Sequence, residues 1–82
     1  MLCTLLPQTT SGFNTFRNAV NAIIYSWSPG QHYDALADFA GNATMGPDSA
    51  ASNTTYYADG LHPTSAGQAI LASIMQSAVD AL

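Results

Sequence analysis

The hydrophobic period changes twice within the first forty residues, and this limits the folds open to the chain. Leu2-Cys3-Thr4-Leu5-Leu6 is an apolar run closed by Pro7. Proline has no N–H for a central ladder, so residues 2–6 are expected to form a short buried parallel strand ending at the proline. Thr10, Ser11 and Gly12 then offer N-cap chemistry. Beyond them Phe13, Phe16, Val20, Ile23, Ile24 and Trp27 recur at three- and four-residue steps. That spacing predicts an amphipathic helix over about residues 13–27. Ser28-Pro29-Gly30 stops it, and Tyr33 to Phe39 alternates enough to predict a second strand. Strand, helix, strand is a βαβ unit with a right-handed crossover.

From Ala40 to Tyr57 the sequence turns to Gly, Asn, Ser, Thr, Pro and Asp without a period, which reads as a long loop. The helical period returns after Pro63, with Ile70, Leu71, Ile74, Met75, Ala78, Val79 and Leu82 on one stripe, and Pro63-Thr64 suits its N-terminus. The order β-α-β-loop-α defines a single α/β domain over residues 1–82. Two parallel strands are too few for a stable sheet. The first strand is therefore expected to be cut off from a larger sheet, its missing neighbours supplied by oligomerisation or domain swapping.

The scarcity of charge points the same way. Only 7% of the 82 residues are charged and 48% are hydrophobic, where soluble domains carry roughly 25% charge. A chain this short buries only about 60 to 65% of its unfolded surface, so part of its apolar surface is expected in a subunit interface, making it a homo-oligomer, a dimer or higher. Arg17 is the only strong cation against five aspartates, giving a net charge of −4. This excludes nucleic-acid binding through phosphate neutralisation. Cys3 is the only cysteine, which excludes an intrachain disulfide and a cysteine-rich zinc site. Met1 to Leu6 lacks the basic start of a signal peptide, and no stretch approaches the ~18 apolar residues of a membrane span. Two N-glycosylation sequons, at Asn42 and Asn53, read as chance matches in an Asn/Thr-rich loop.

Chemistry concentrates in Tyr56-Tyr57-Ala58-Asp59-Gly60-Leu61-His62-Pro63-Thr64-Ser65-Ala66-Gly67. This stretch resembles the final block of the SGNH (GDSL-type) hydrolases, whose core is Asp-x-x-His-Pro followed by a helix. Leu5-Leu6-Pro7 and Asp34-Ala35-Leu36-Ala37-Asp38 likewise resemble that family's last two strands. The resemblance implies the C-terminal part of a three-layer α/β/α, flavodoxin-like fold. It further implies that His62 is the general base, with Asp59 holding its tautomer and orientation. No Gly-Asp-Ser nucleophile block, no oxyanion-hole glycine block and no Gly-x-Asn-Asp block is present. Without them the pair retains general-base assistance of water, on the order of 10²- to 10⁴-fold.

A metal offers a second route, because neutral His and ionised Asp suit zinc or manganese and a bound water would replace the serine. Candidate ligands are His62, Asp59, His32 and Asp34. A strand of about six residues would hold His32 and His62 roughly 20 Å apart, so such a site is expected only between protomers. The plainer reading makes His32 a solvated turn residue and Asp34 and Asp38 solvated strand ends. Ser49, Ser52 and Ser65 lack the context of a nucleophile elbow. Cys3 reads as a small buried hydrophobe, Tyr25 and Trp27 as core or interface, and Tyr56 and Tyr57 as the mouth of a pocket. The functional expectation is a small hydrolase of activated esters or phosphoesters acting through Asp59 and His62. The alternative is an inactive, self-associating remnant of an SGNH esterase.

Overall fold

The computed structural model describes all 82 residues. It is a mixed α/β structure: strand β1 (Leu2–Cys3), helix α1 (Phe13–Ser26), strand β2 (Leu36–Ala37), a 3-10 helix (Asp48–Ser52) and helix α2 (Ser65–Asp80). The strands pair in parallel, Leu2 opposite Leu36 and Cys3 opposite Ala37, as a sheet of two. Both strands are shorter than their apolar runs. The Leu2 and Thr4 N–H groups donate to the Ala35 and Ala37 carbonyls. The Leu5 N–H instead donates to Asn21 Oδ1, and Asn21 Nδ2 returns a bond to the Leu5 carbonyl. A side-chain amide of α1 thus stands where the next strand of the sheet would pair. At the other strand the Gly30 N–H bonds the Tyr33 carbonyl and the Phe39 N–H bonds the Ala37 carbonyl, folding both ends of the expected strand into turns.

α2 starts where proline and threonine permit. Thr64 is its N-cap, its hydroxyl accepting from the Gly67 N–H at 3.2 Å while donating to the Thr55 carbonyl at 2.6 Å. α2 joins two small apolar clusters. Ala78, with Ile74 and Met75, packs on Ala35, Ala37 and Cys3, so Cys3 lies half-buried among apolar side chains. Ile70 and Leu71 pack on Met45, Ala50, Ala51 and Tyr57. These clusters close off the 40–57 segment, which turns on Asn42 and Asn53: the Asn42 carboxamide accepts from the Thr44 and Met45 N–H groups and that of Asn53 from Thr55.

α1 departs from its expected orientation. Its N-cap is Gly12 in a left-handed conformation, with no side-chain cap bond. The buried face is Arg17, Asn21 and Ile24, at steps of four and three, while Phe16 and Ile23 of the apolar stripe are more than half exposed. Arg17 explains the turn of the helix. Its guanidinium donates to the Leu5 carbonyl at 3.1 Å, the Gly46 carbonyl at 2.7 Å and Asp48 Oδ1 at 2.7 Å. It thereby ties the exit of β1 to the long segment. The total accessible area, 4712 Å², matches the roughly 4,700 Å² of a folded protein of this mass. Compactness is therefore ordinary, with Phe16, Ile23 and Leu82 among the large apolar side chains left more than half exposed.

Candidate functional site

Asp59, Gly60, Leu61 and His62 form a tight turn. An antiparallel bridge between Tyr57 and Pro63 closes its base, with the Ala58 N–H donating to the His62 carbonyl at 2.8 Å. The two oxygens of Asp59 divide the work. Oδ1 accepts from the backbone N–H groups of His62, at 2.7 Å, and Leu61, at 3.0 Å. Oδ2 lies 2.7 Å from His62 Nδ1. One oxygen shapes the loop and the other orients the ring. A carboxylate only accepts hydrogen bonds, so Nδ1 carries the proton of this contact, and in the neutral ring the lone pair is on Nε2. The backbone N–H of His62, then its side chain and the Leu61 N–H, hold the Asp59 carboxyl down to about 2. Both side chains are open to solvent, 72% exposed for His62 and 55% for Asp59.

The turn is held from two sides. Gly60 has φ +79°, a left-handed value that favours glycine, and a Cβ there would run into the Thr9 side chain. Thr9 also donates its N–H to the Gly60 carbonyl at 2.9 Å, so the β1–α1 connection braces the corner. On the other side Gly67 lets the first turn of α2 approach the Tyr56 carbonyl more closely than a Cβ would allow. Tyr57 does not line a pocket mouth. It is buried, with its hydroxyl donating to the Met45 carbonyl at 2.7 Å, because its ring is the largest apolar body available to the second cluster. Burial pushes its phenol up.

The four candidate ligands do not converge within one chain. Asp59 and His62 meet, but no group of three or more His, Cys, Asp or Glu side chains lies close enough to hold an ion. His32 is exposed in the turn after α1, its ring 4.5 Å from the Trp27 ring. Asp34 is exposed beside β2. Asp38 is not a freely solvated strand end. Its Oδ1 accepts from the Tyr25 hydroxyl at 2.5 Å, the Thr4 hydroxyl at 3.0 Å and the Gly41 N–H at 3.2 Å. The Tyr25 ring is half exposed, but desolvation of its hydroxyl and the neighbouring Asp38 charge push the phenol up to about 12. Ser49, Ser52 and Ser65 are exposed, and the His62 ring bonds only to Asp59.

Two features escaped the pattern of the sequence. One is the buried Arg17, for which its isolation as the only cation on a helix face with Asn21 and Ile24 was the available signal. The other is a cleft of about 560 Å³ beside β2, walled by Ile74 and Ala78 of α2 and by Ala81 at its C-cap, which contains neither Asp59 nor His62. Comparison with protein-family models, with curated proteins and with solved structures finds no match. The likeness to the SGNH hydrolases therefore rests on the residues of this chain alone.

Proposed function

We propose that the chain is a small hydrolase of activated ester or phosphoester bonds in which His62 Nε2 takes a proton from the attacking nucleophile while Asp59 holds the ring. One observation carries this reading: the 2.7 Å contact from Asp59 Oδ2 to His62 Nδ1, made by a carboxylate whose other oxygen is already fixed by two backbone N–H groups. The nucleophile is water, and the expected acceleration is the ~10²- to 10⁴-fold of general-base catalysis. In a three-layer fold completed by a second copy, His32 and Asp34 of one protomer could meet Asp59 and His62 of its partner around zinc or manganese, with a metal-activated water as nucleophile.

A second reading has its own support. Phe16 and Ile23 lie exposed on α1, with the Phe13 ring 6.1 Å from that of Phe16. An inactive remnant that self-associates through this face would look the same at rest. Turnover of p-nitrophenyl acetate and bis-p-nitrophenyl phosphate separates the two, measured for the protein and for His62→Ala, with EDTA and with added zinc or manganese. Rates lost in His62→Ala and unaffected by EDTA fit the general-base route. Rates abolished by EDTA and by His32→Ala fit the shared metal. Background rates throughout would leave only the remnant.

A further inference from the structure

The register of the sheet leaves one strand edge open. Because the Leu2 and Thr4 N–H groups point at β2, the Leu36 N–H and carbonyl point away from β1, and the sheet has no third strand to take them. The 560 Å³ cleft lies along this edge. Its lining includes the successive residues Ala35 and Leu36, whose side chains alternate between the two faces, together with Asp38, which is the lining expected of a cleft at the strand's side. Ile74, Ala78 and Ala81 give it an apolar wall, and Asp34 and Asp38 flank Leu36 at alternate positions. An unpaired strand edge beside an apolar wall has the form of a strand-addition site.

The charges decide what can fill it. If a second copy paired its own β2 edge antiparallel about Leu36, Asp34 would stand opposite the partner's Asp38, and like charges directly opposite are unfavourable. Nor can a second copy answer these carboxylates, since its one strong cation, Arg17, is buried and bound to Leu5, Gly46 and Asp48. We propose that the β2 edge accepts an extended peptide segment from another protein, with basic residues four apart around an apolar centre. The basic side chains would face Asp34 and the Oδ2 of Asp38, whose Oδ1 is held by Tyr25, Thr4 and Gly41, and the apolar ones would enter the cleft against α2. Main-chain bonds to Leu36 supply affinity, and the spacing of the two cations supplies specificity.

The test uses the whole chain in EDTA, which keeps any metal chemistry out of the readout. The probe is a fluorescein-labelled peptide, Thr-Lys-Val-Val-Val-Lys-Thr, followed by anisotropy. It is expected to bind, and the counterpart with Glu in place of both Lys is expected to bind at least about tenfold more weakly. N-methylation of the central valine amides should abolish binding, and Asp34→Lys, a substitution at an exposed residue, should weaken it about tenfold or more. On binding, the Leu36 amide should gain hydrogen-exchange protection. Failure of the Lys peptide to bind, equal binding of the Glu peptide, or binding without Leu36 protection would overturn the proposal. So would protection of Leu36 that rises with protein concentration alone, which would assign the edge to a second copy.

Discussion

Two carboxylates in this molecule meet a nitrogen cation or base at the same 2.7 Å, and the resemblance ends there. Asp48 reaches an Arg17 side chain that is only 3% exposed and that also satisfies two backbone carbonyls. Asp59 reaches a His62 ring that is 72% exposed and bonds nothing else. Distance is equal, so the difference in what each pair does must come from solvent. The Arg17 side chain is shut away from solvent, and removing the guanidinium leaves the buried Gly46 carbonyl without its donor, while the Leu5 carbonyl keeps only Asn21 and the exposed Asp48 returns to water. Around His62 water replaces whatever is lost, which leaves the ring free for chemistry and worth little to the fold.

The largest expected effect follows from the buried side. Arg17→Ala removes a charged donor from two backbone carbonyls and should cost about 3 kcal/mol, read by urea denaturation as a large fall in the midpoint of a domain this small. A loss near zero would erase the distinction between the pairs. Asn21→Ala strands the Leu5 N–H, and the same measurement should show about 1 to 3 kcal/mol. His62→Ala should move the urea midpoint by no more than ~0.5 kcal/mol, even where it removes all turnover.

pH sharpens the contrast further. The carboxyls of Asp59, at about 2, and of Asp48, lowered mainly by the Arg17 hydrogen bond, both lie below the ordinary range. Each therefore contributes stability that is complete above the unfolded carboxyl pKa of about 4 and is lost as pH falls through the folded value. Urea midpoints between pH 5 and pH 2 should decline, and Asp59→Asn should flatten the lowest part of that slope. The smallest effect lies at the alkaline end. Tyr25, pushed up to about 12, stabilises below pH ~10 and ceases to do so as pH rises toward 12. Ultraviolet titration should show its phenol ionising late, and Asp38→Asn should bring it earlier.

The features that could be read from the sequence are those decided locally. The Asp59–His62 contact spans three residues, and Thr64 caps a helix whose period is plain, so both stand where the residues place them. What was not legible depended on distant polar partners. The apolar period of α1 predicts burial of Phe16 and Ile23, but Arg17 and Asn21 turn the helix toward the Leu5 carbonyl, twelve and sixteen residues away in sequence. A pattern of hydrophobicity does not register a buried guanidinium. The strands were overestimated for the same reason, since residues 2–6 carry the right composition but Leu5 spends its backbone on a side chain. Asp38 looked like a solvated end because Tyr25 and Thr4, which claim its oxygen, lie 13 and 34 residues away in sequence.

The amide of Asn21 on Leu5 also gives the sheet a direction. On the β1 side growth is blocked two residues beyond the strand, and on the β2 side it is open. With Asn21 closing the β1 side, edge-to-edge pairing between copies has only the β2 side to use, which separates this chain from the two-edged units that build fibres.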